Sequence, residues 1–377
     1  MKANIQDMFT ALTECSKVAK TAKNEFSRKE FVDNVVLEND LDYLKLSVMG
    51  ENSVRLNVKV DTVDNNNPFR TSMKLSALMK IFKPDNKKDA KNISIDIENN
   101  YRAKCQNGKI NCSVVTSSSI LPVDSNSYNP LAVINAKQLH NSLEFVLKAM
   151  SSDICRENLR AVRFDQGKLI ATDGHRLHSS TLDFETEPFS LPAVAAHSLY
   201  RLSKLCSNVN VFKRDEKNLM FQASMIGYSG RIVFELNVPL PDSVYPDYEQ
   251  VIPNSFNNNY TIDTKSFVKQ LTKLCKVASN PDQIVLEMKG DNLKVVCRDK
   301  DHNDFDTSFP IEDSFPIEDS LLMKEVRVGV NPSYLLESLH NSETHKVSII
   351  DTYSPILVEL DTNGEQFAIV MPRKIEN

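Results

Sequence analysis

The sequence predicts an α+β protein made of three similar domains in tandem, and three observations carry that prediction. One amphipathic helical pattern occurs three times at a spacing of roughly 130 residues. A second, shorter helical pattern follows each copy. Runs in which apolar and polar residues alternate, as half-buried strands require, fill the stretches between them.

The first pattern is ANIQDMFTALTECSKVAK (residues 3–20), then VINAKQLHNSLEFVLKAM (residues 133–150), then TIDTKSFVKQLTKLCKVAS (residues 261–279). Met8, Leu12, Cys15 and Ala19 correspond to Leu139, Leu143, Val146 and Met150, and again to Phe267, Leu271, Leu274 and Ala278. This i, i+4, i+7, i+11 stripe marks one face of an α-helix. The second pattern is MKLSALMKIF (residues 73–82), VAAHSLYRLSKL (residues 194–205) and VNPSYLLESL (residues 330–339). Strand-like runs include NISIDI, KINCSVV, AVRFDQGKLIAT, GRIVFEL, QIVLEMK, NLKVVC, KVSIID and PILVELD. The Pro-, Asn- and Ser-rich segments VDSNSYNP and VIPNSFNNN place boundaries near Ser125 and Pro253, giving domains over residues 1–125, 126–253 and 254–377. The repeated hexapeptide in FPIEDSFPIEDS (residues 309–320) reads as solvated acidic surface on a loop or strand edge.

With 41% hydrophobic and 25% charged residues over 377 positions, the chain is long enough to bury several cores. No run approaches the roughly 18 apolar residues of a spanning helix, and the N-terminus lacks a leader-like segment, so the expected location is the cytoplasm, with no membrane partner. Cys15, Cys105, Cys112, Cys155, Cys206, Cys275 and Cys297 form an odd set without a C-x-x-C pair, which points to reduced thiols and not to a disulfide framework or a zinc site.

A formal net charge of -5 argues against a protein that coats nucleic acid by bulk attraction, so any such role needs segregated charge. Lysine is segregated. Lys265, Lys269, Lys273 and Lys276 line the face opposite Phe267, Leu271 and Leu274 in the third helical copy. Lys17, Lys20 and Lys23, then Lys74, Lys80 and Lys83, then Arg201 and Lys204 repeat the bias on the polar faces of the other helices. Helices sharing one surface would present these cations to phosphates without reading bases. The plain alternative is a set of ordinary solvated helix faces.

Candidates for catalysis fail for lack of partners. ATDGHRLHSS (residues 171–180) gathers Asp173, His175, His178 and Ser180, yet no third metal ligand, nucleophile elbow, P-loop or dinucleotide fingerprint accompanies them. GYSG (residues 227–230) reads as a hairpin turn. His340 and His345 flank a polar turn and read as surface residues without a role. Neither cofactor nor metal is expected.

ICRENLRAVRFDQGKLIATDGHRLHSS (residues 154–180) resembles the bacterial DNA sliding clamp, the beta subunit of the replicative DNA polymerase III holoenzyme. VYPDYEQVIP (residues 244–253) is similar to that family's F-P-D-Y-x-x-V-x-P linker. VNPSYLLESL is similar to its N-x-S-Y-L-L helix, and IVMPRKI (residues 369–375) to its C-terminal V-M-P motif. The specific motifs lie in the second and third units; the first matches mainly by its helix pattern.

The resemblance implies the DNA clamp fold, with two helices of each domain on an inner face and antiparallel sheets outside. It implies a homodimeric ring that encircles duplex DNA as a processivity factor without catalytic activity. It also implies a cleft that takes short apolar motifs of the replicative polymerase, the clamp loader and repair factors. One wall of that cleft would be Leu159, Thr172, Gly174, His175, Arg176 and Leu177. The other would be Pro246, Val251, Asn331, Tyr334, Ser354, Pro355, Val370, Met371 and Pro372. The ring interface would set Ile110 and Cys112 against Val277 and Ala278 of the neighbouring copy. The tail departs from the family's Met-Pro-x-Arg-Leu ending: Arg373 takes an apolar position, Lys374 replaces the arginine, and Glu376 and Asn377 extend the chain. Two other readings remain: a metal-dependent nucleic-acid hydrolase using Asp173 and His175, and a clamp-derived scaffold that binds partners without closing around DNA.

Overall fold

The computed structural model describes the whole chain except residues 25–32, 41, 64–67, 87–90, 100, 118–129, 254–257, 280, 290–291, 299–302, 311–312, 317–325, 340–341, 361–365 and 376–377. The first third runs β1 (Lys2–Asn4), α1 (Ile5–Ala19), β2 (Asn34–Asn39), β3 (Tyr43–Met49), β4 (Arg55–Asp61), β5 (Phe69–Lys74), α2 (Leu75–Ile81), β6 (Asn92–Asn99), β7 (Arg102–Asn107) and β8 (Ile110–Ser117). The second runs β9 (Ala132–Asn135), α3 (Ala136–Val146), β10 (Ala161–Asp165), β11 (Lys168–Thr172), β12 (Arg176–Thr181), β13 (Phe189–Pro192), α4 (Ala193–Leu202), β14 (Asn208–Asp215), β15 (Asn218–Ile226) and β16 (Arg231–Pro239). The third runs β17 (Asn258–Asp263), α5 (Thr264–Val277), β18 (Ile284–Lys289), β19 (Asn292–Arg298), β20 (Asp304–Pro310), β21 (Asp313–Pro316), β22 (Val326–Val330), α6 (Pro332–Ser338), β23 (Thr344–Ile349), β24 (Ile356–Leu360) and β25 (Gln366–Val370). Among the described residues each third therefore spells strand, helix, three strands, twice over, with β21 the one addition.

Helices α1, α5 and α6 begin where the sequence supplies caps. Asn4 accepts from the Gln6 amide at 2.9 Å, Asp263 from Ser266 at 2.6 Å, and Asn331 from Ser333 at 2.9 Å, each satisfying an amide that the first turn leaves without a partner. Their apolar stripes are buried as the periodicity requires: Met8, Leu12 and Cys15 on α1, Leu139, Leu143 and Val146 on α3, and Phe267 and Leu271 on α5. Each such Leu or Phe contributes about 1.5–3 kcal/mol by leaving water.

The compact units do not follow the thirds. One comprises residues 1–141 and 190–242, the other residues 142–189 and 243–377. In the first unit twelve strands form one sheet, in the order β1-β6-β7-β8-β5-β2-β3-β4-β16-β15-β14-β9. Its middle joint is β4 against β16, antiparallel from Val60 opposite Ile232 to Arg55 opposite Asn237. The sheet of the second unit contains β10-β11-β12-β25-β24-β23-β17-β21, and a four-stranded sheet β20-β19-β18-β22 stands beside it in the same unit. There the joint is β12 against β25, from Arg176 opposite Val370 to Ser180 opposite Gln366. Hydrogen-bonded edges thus fuse halves of successive thirds.

GYSG turns the β15–β16 hairpin, with the Gly227 amide donating to the Gly230 carbonyl at 2.7 Å. The carboxylate of Asp7, from the first turn of α1, accepts from the amides of Tyr228 and Ser229 at 2.7 and 2.8 Å. Of the repeated hexapeptides, Phe309 and Pro310 close β20 and residues 313–316 form the sheet-edge strand β21, whereas 311–312 and 317–320 lie outside the described residues. His345 corrects the surface reading: it is 1% exposed and hydrogen-bonded through Nδ1 to the Thr264 hydroxyl at 2.7 Å, because β23 pairs with β17 and carries it into the core. His340 lies outside the described residues.

Candidate functional site

Within the second unit, the chain between β11 and β12 reverses on Thr172, Asp173, Gly174 and His175. The Thr172 hydroxyl donates to the Arg176 carbonyl at 2.6 Å and accepts from the Gly174 amide at 3.1 Å. Asp173 Oδ1 accepts from the amides of His175 and Arg176 at 2.9 and 3.1 Å, an Asx turn. Gly174 sits at φ +89°, a left-handed conformation that side chains resist. The turn leaves the His175 ring exposed and sends Arg176 inward.

Arg176 ties this turn to its neighbours. Its Nε donates to Asp173 Oδ2 at 3.1 Å and its Nη1 to Glu337 of α6. Its guanidinium carbon stands 4.4 Å from the centre of the Tyr334 ring, and the His175 ring lies nearly parallel to that ring at 6.4 Å. Tyr334 is placed by Asn331, which caps α6, and by Pro332, whose fixed φ suits a first helical position. The tail is held by the same elements. Met371 donates its amide to the His175 carbonyl at 2.9 Å, and Arg373 donates its amide to the Gly329 carbonyl at 2.7 Å. Arg373 Nη1 reaches the Asp282 carbonyl at 2.8 Å, and Gln283 donates to the Lys374 carbonyl at 2.8 Å.

Beneath the turn lies an apolar floor of Ile170, Leu177, Leu357 and Ile369, with Tyr248, Ile252, Phe367 and Met371 half-buried against it. Thr172, Arg176, Pro246, Asn331, Tyr334, Ser354, Pro355, Met371 and Pro372 are all half-exposed, and Gly174, His175 and Val251 are exposed. Pro355 directly precedes Ile356, which faces Val370 across β24 and β25, so that it sits next to Met371. Ser354 is fixed by Asp351, whose Oδ1 accepts the amides of Tyr353 and Ser354 at 2.8 Å each and whose carboxyl is held below its ordinary pKa by those bonds. Leu159, Leu177 and Val370 differ from the sequence expectation: at 9%, 1% and 0% exposure they support the surface from behind and offer little of it themselves.

The catalytic reading of this segment does not assemble. His178 is buried, stacked 4.5 Å from Phe145 and bonded to the Phe145 carbonyl at 2.9 Å, whereas His175 faces solvent and the Asp173 carboxylate is committed to its turn and to Arg176. Ser180 bonds to Ser142 and Gln366. Among the described residues no group of three or more His, Cys, Asp or Glu side chains is disposed to hold a metal ion.

The helix cations fall into two kinds. Lys265, Lys269, Lys273 and Lys276 are exposed along α5 and hold no ion pair among the described residues. In the first unit, by contrast, the buried carboxylate of Glu14 takes Lys17 at 2.7 Å and Arg201 at 3.3 Å, and Lys204 stands over the Tyr200 ring at 5.0 Å. Lys20, Lys74, Lys80 and Lys83 are exposed. Lys20, however, is the cap residue after α1, Lys74 the cap residue before α2, Lys83 follows α2, and Lys204 lies beyond the last turn of α4, so these four leave the helix faces expected of them. Lys23 falls in a 3-10 turn, and its side chain lies outside the described residues. Glu14 was missed from sequence; its i, i+3 spacing to Lys17 was visible, but its link to Arg201 exists only in the fold.

Of the residues expected at a ring interface, Ile110 and Val277 are 57% and 54% exposed and Cys112 is half-buried. Ala278 is a correction: at 2% exposure it belongs to the core of its own unit, as the last position of the α5 stripe.

Comparison with known proteins fits this geometry. Residues 249–374 match the family model of the DNA polymerase III beta subunit, C-terminal domain. The beta sliding clamp of Rickettsia felis is 24% identical over 290 residues, covering 72% of this chain and 74% of that protein. The crystal structure of the DNA polymerase III beta subunit from Pseudomonas aeruginosa superimposes with a TM-score of 0.83 at 19% identity over 99% of both chains. The Thermotoga maritima beta subunit does so with 0.81 at 15% identity over the full length of both. The fold is therefore that of the DNA sliding clamps. By sequence, the chain is similar to bacterial beta sliding clamps, and its last third matches the family model of the DNA polymerase III beta subunit, C-terminal domain.

Proposed function

We propose that this chain is a DNA sliding clamp: a non-catalytic processivity subunit that closes as a homodimer around duplex DNA in the cytoplasm. The observation that carries the ring is a pattern of strand edges. In both units the third strand of one half-repeat pairs with the third strand of the other half of the next or previous third, β4 with β16 and β12 with β25. The remaining members of that series are β20 and β8. β20 pairs only with β19, and β8 pairs with β7 and meets β5 only at Thr116 and Ser117, so both present open edges among the described residues. Open edges seek partners. A second copy supplying β20 to β8, and β8 to β20, closes a two-fold ring of six half-repeat joints, with Ile110 and Cys112 of one copy near Val277 of the other.

The three domains then span residues 1–125, 126–253 and 254–377. The helix cations face the hole and meet phosphates without base contacts, a binding mode that permits sliding. The surface around His175, Tyr334, Met371 and Pro246 takes short apolar motifs of the replicative polymerase, the clamp loader and repair factors, with Arg176 and Asn331 fixing the wall and Met371 and Val251 supplying apolar contact. The decisive experiment loads the protein onto nicked circular DNA with its loader and ATP, isolates the complex by gel filtration at moderate salt, and then linearises the circle. Release on cutting is expected. Failure to remain on the intact circle, with an active loader, would favour the scaffold or the hydrolase reading.

A further inference from the structure

We propose that Cys105 and Cys112 form a reversible intrachain disulfide when the protein meets a small-molecule disulfide such as oxidised glutathione. The two residues are directly opposed in the antiparallel register of β7 and β8, flanked by Lys104 opposite Ser113 and Gln106 opposite Asn111. Directly opposed residues have Cα atoms about 4.5–5.5 Å apart and project to the same side of the sheet. That separation lies inside the roughly 4.4–6.8 Å between Cα atoms that a disulfide spans, so the register brings the two cysteines within bridging range. No other pair of the seven cysteines is opposed in the described strand registers.

The two thiols have unequal environments, and the inequality sets the order of events. Cys105 is fully buried, and burial first, then the neighbouring Cys112, push its thiol up to about 12. Cys112 is half-buried on the open edge strand and is therefore the thiol that meets solvent. Its thiolate attacks one sulfur of the reagent and expels one thiolate, giving a mixed disulfide. Cys105 then gives up its proton, attacks the Cys112 sulfur and expels the second thiolate. Two cysteine thiols are oxidised and one small disulfide is reduced to two thiols, so atoms and electrons balance. Intracellular disulfides of this kind are transient and not structural. A second copy seated on β8 would cover Cys112, so oxidation competes with ring closure; the pair itself does not depend on the clamp reading.

The test uses the full chain over a range of protein concentrations, so that at the lowest no second copy hides Cys112. After incubation with oxidised glutathione and capture of remaining thiols by an alkylating agent, trypsin cleaves after Lys104 and Lys109 and places the two cysteines on separate peptides. The expected result is a joined pair of peptides, two hydrogens lighter than their sum, that separates on reduction. It should disappear in both Cys105→Ser and Cys112→Ser, each folded by circular dichroism. Alkylation of both thiols at every concentration, a glutathione adduct on Cys112 that never resolves, or joining of either cysteine to another residue overturns the proposal.

Discussion

Met371 and Glu14 illustrate how much a single side chain decides here. Met371 is half-buried against Ile170, Leu177, Leu357 and Ile369, and its amide ties the tail to His175. Met371→Asp keeps that amide but puts a charge on the apolar floor, at a cost of about 2–3 kcal/mol to any apolar motif lying there. A polymerase-tail peptide should therefore bind about 100-fold more weakly by fluorescence anisotropy, with the melting curve little changed. Glu14 acts in the opposite sense. Its carboxylate holds both Lys17 and Arg201, so part of the positive charge of α1 and α4 is spent inside the protein. Glu14→Gln should free it: the slope of log affinity for duplex DNA against log salt becomes steeper by about 1–2. An unchanged slope would mean that these two cations do not meet phosphates.

Among the helices, α5 stands apart. Four exposed lysines lie opposite Phe267, Leu271 and Leu274, and no carboxylate among the described residues pairs with them. Replacing Lys265, Lys269, Lys273 and Lys276 together by Gln should flatten the salt dependence by roughly 2–4, at about 0.9 for each phosphate no longer neutralised. Replacing Lys17 and Arg201 should change it less. Stability should hold, because exposed lysines without ion pairs contribute little to folding. The tail is an element of the opposite kind, fixed by backbone. A side chain on Gly329 would come within 2.6 Å of the Arg373 carbonyl, so the glycine is what lets the tail lie against β22.

For the molecule as a whole, the proposed closure would rest on the edges of β8 and β20 and on Ile110 and Val277, which are exposed. Ile110→Glu or Val277→Glu should each raise the dimer dissociation constant by about 100-fold, roughly 2.7 kcal/mol, in analytical ultracentrifugation. Combining Ile110→Glu with Val277→Lys should recover much of the loss if the two residues face each other across the interface. A chain that stays dimeric with Ile110→Glu would place its contact elsewhere.

The sequence by itself determined the element types, their order and their caps. Helical stripes such as Met8, Leu12 and Cys15, and cap residues such as Asn4 and Asp263, follow from local periodicity and from the amides a first turn leaves unpaired. It also carried the motifs around His175 and Tyr334, because a turn with Asp173 and Gly174 is specified by its own residues. Strand partners were decided only by the tertiary structure. The pairing of β4 with β16, and of β12 with β25, joins residues more than 150 positions apart, and no local pattern encodes an edge that is satisfied so far away. Burial of Ala278 and His345, and the capture of Arg201 by Glu14, arise from the same long-range packing. A helix stripe tells which side faces inward. The groups it meets there are fixed by the rest of the chain.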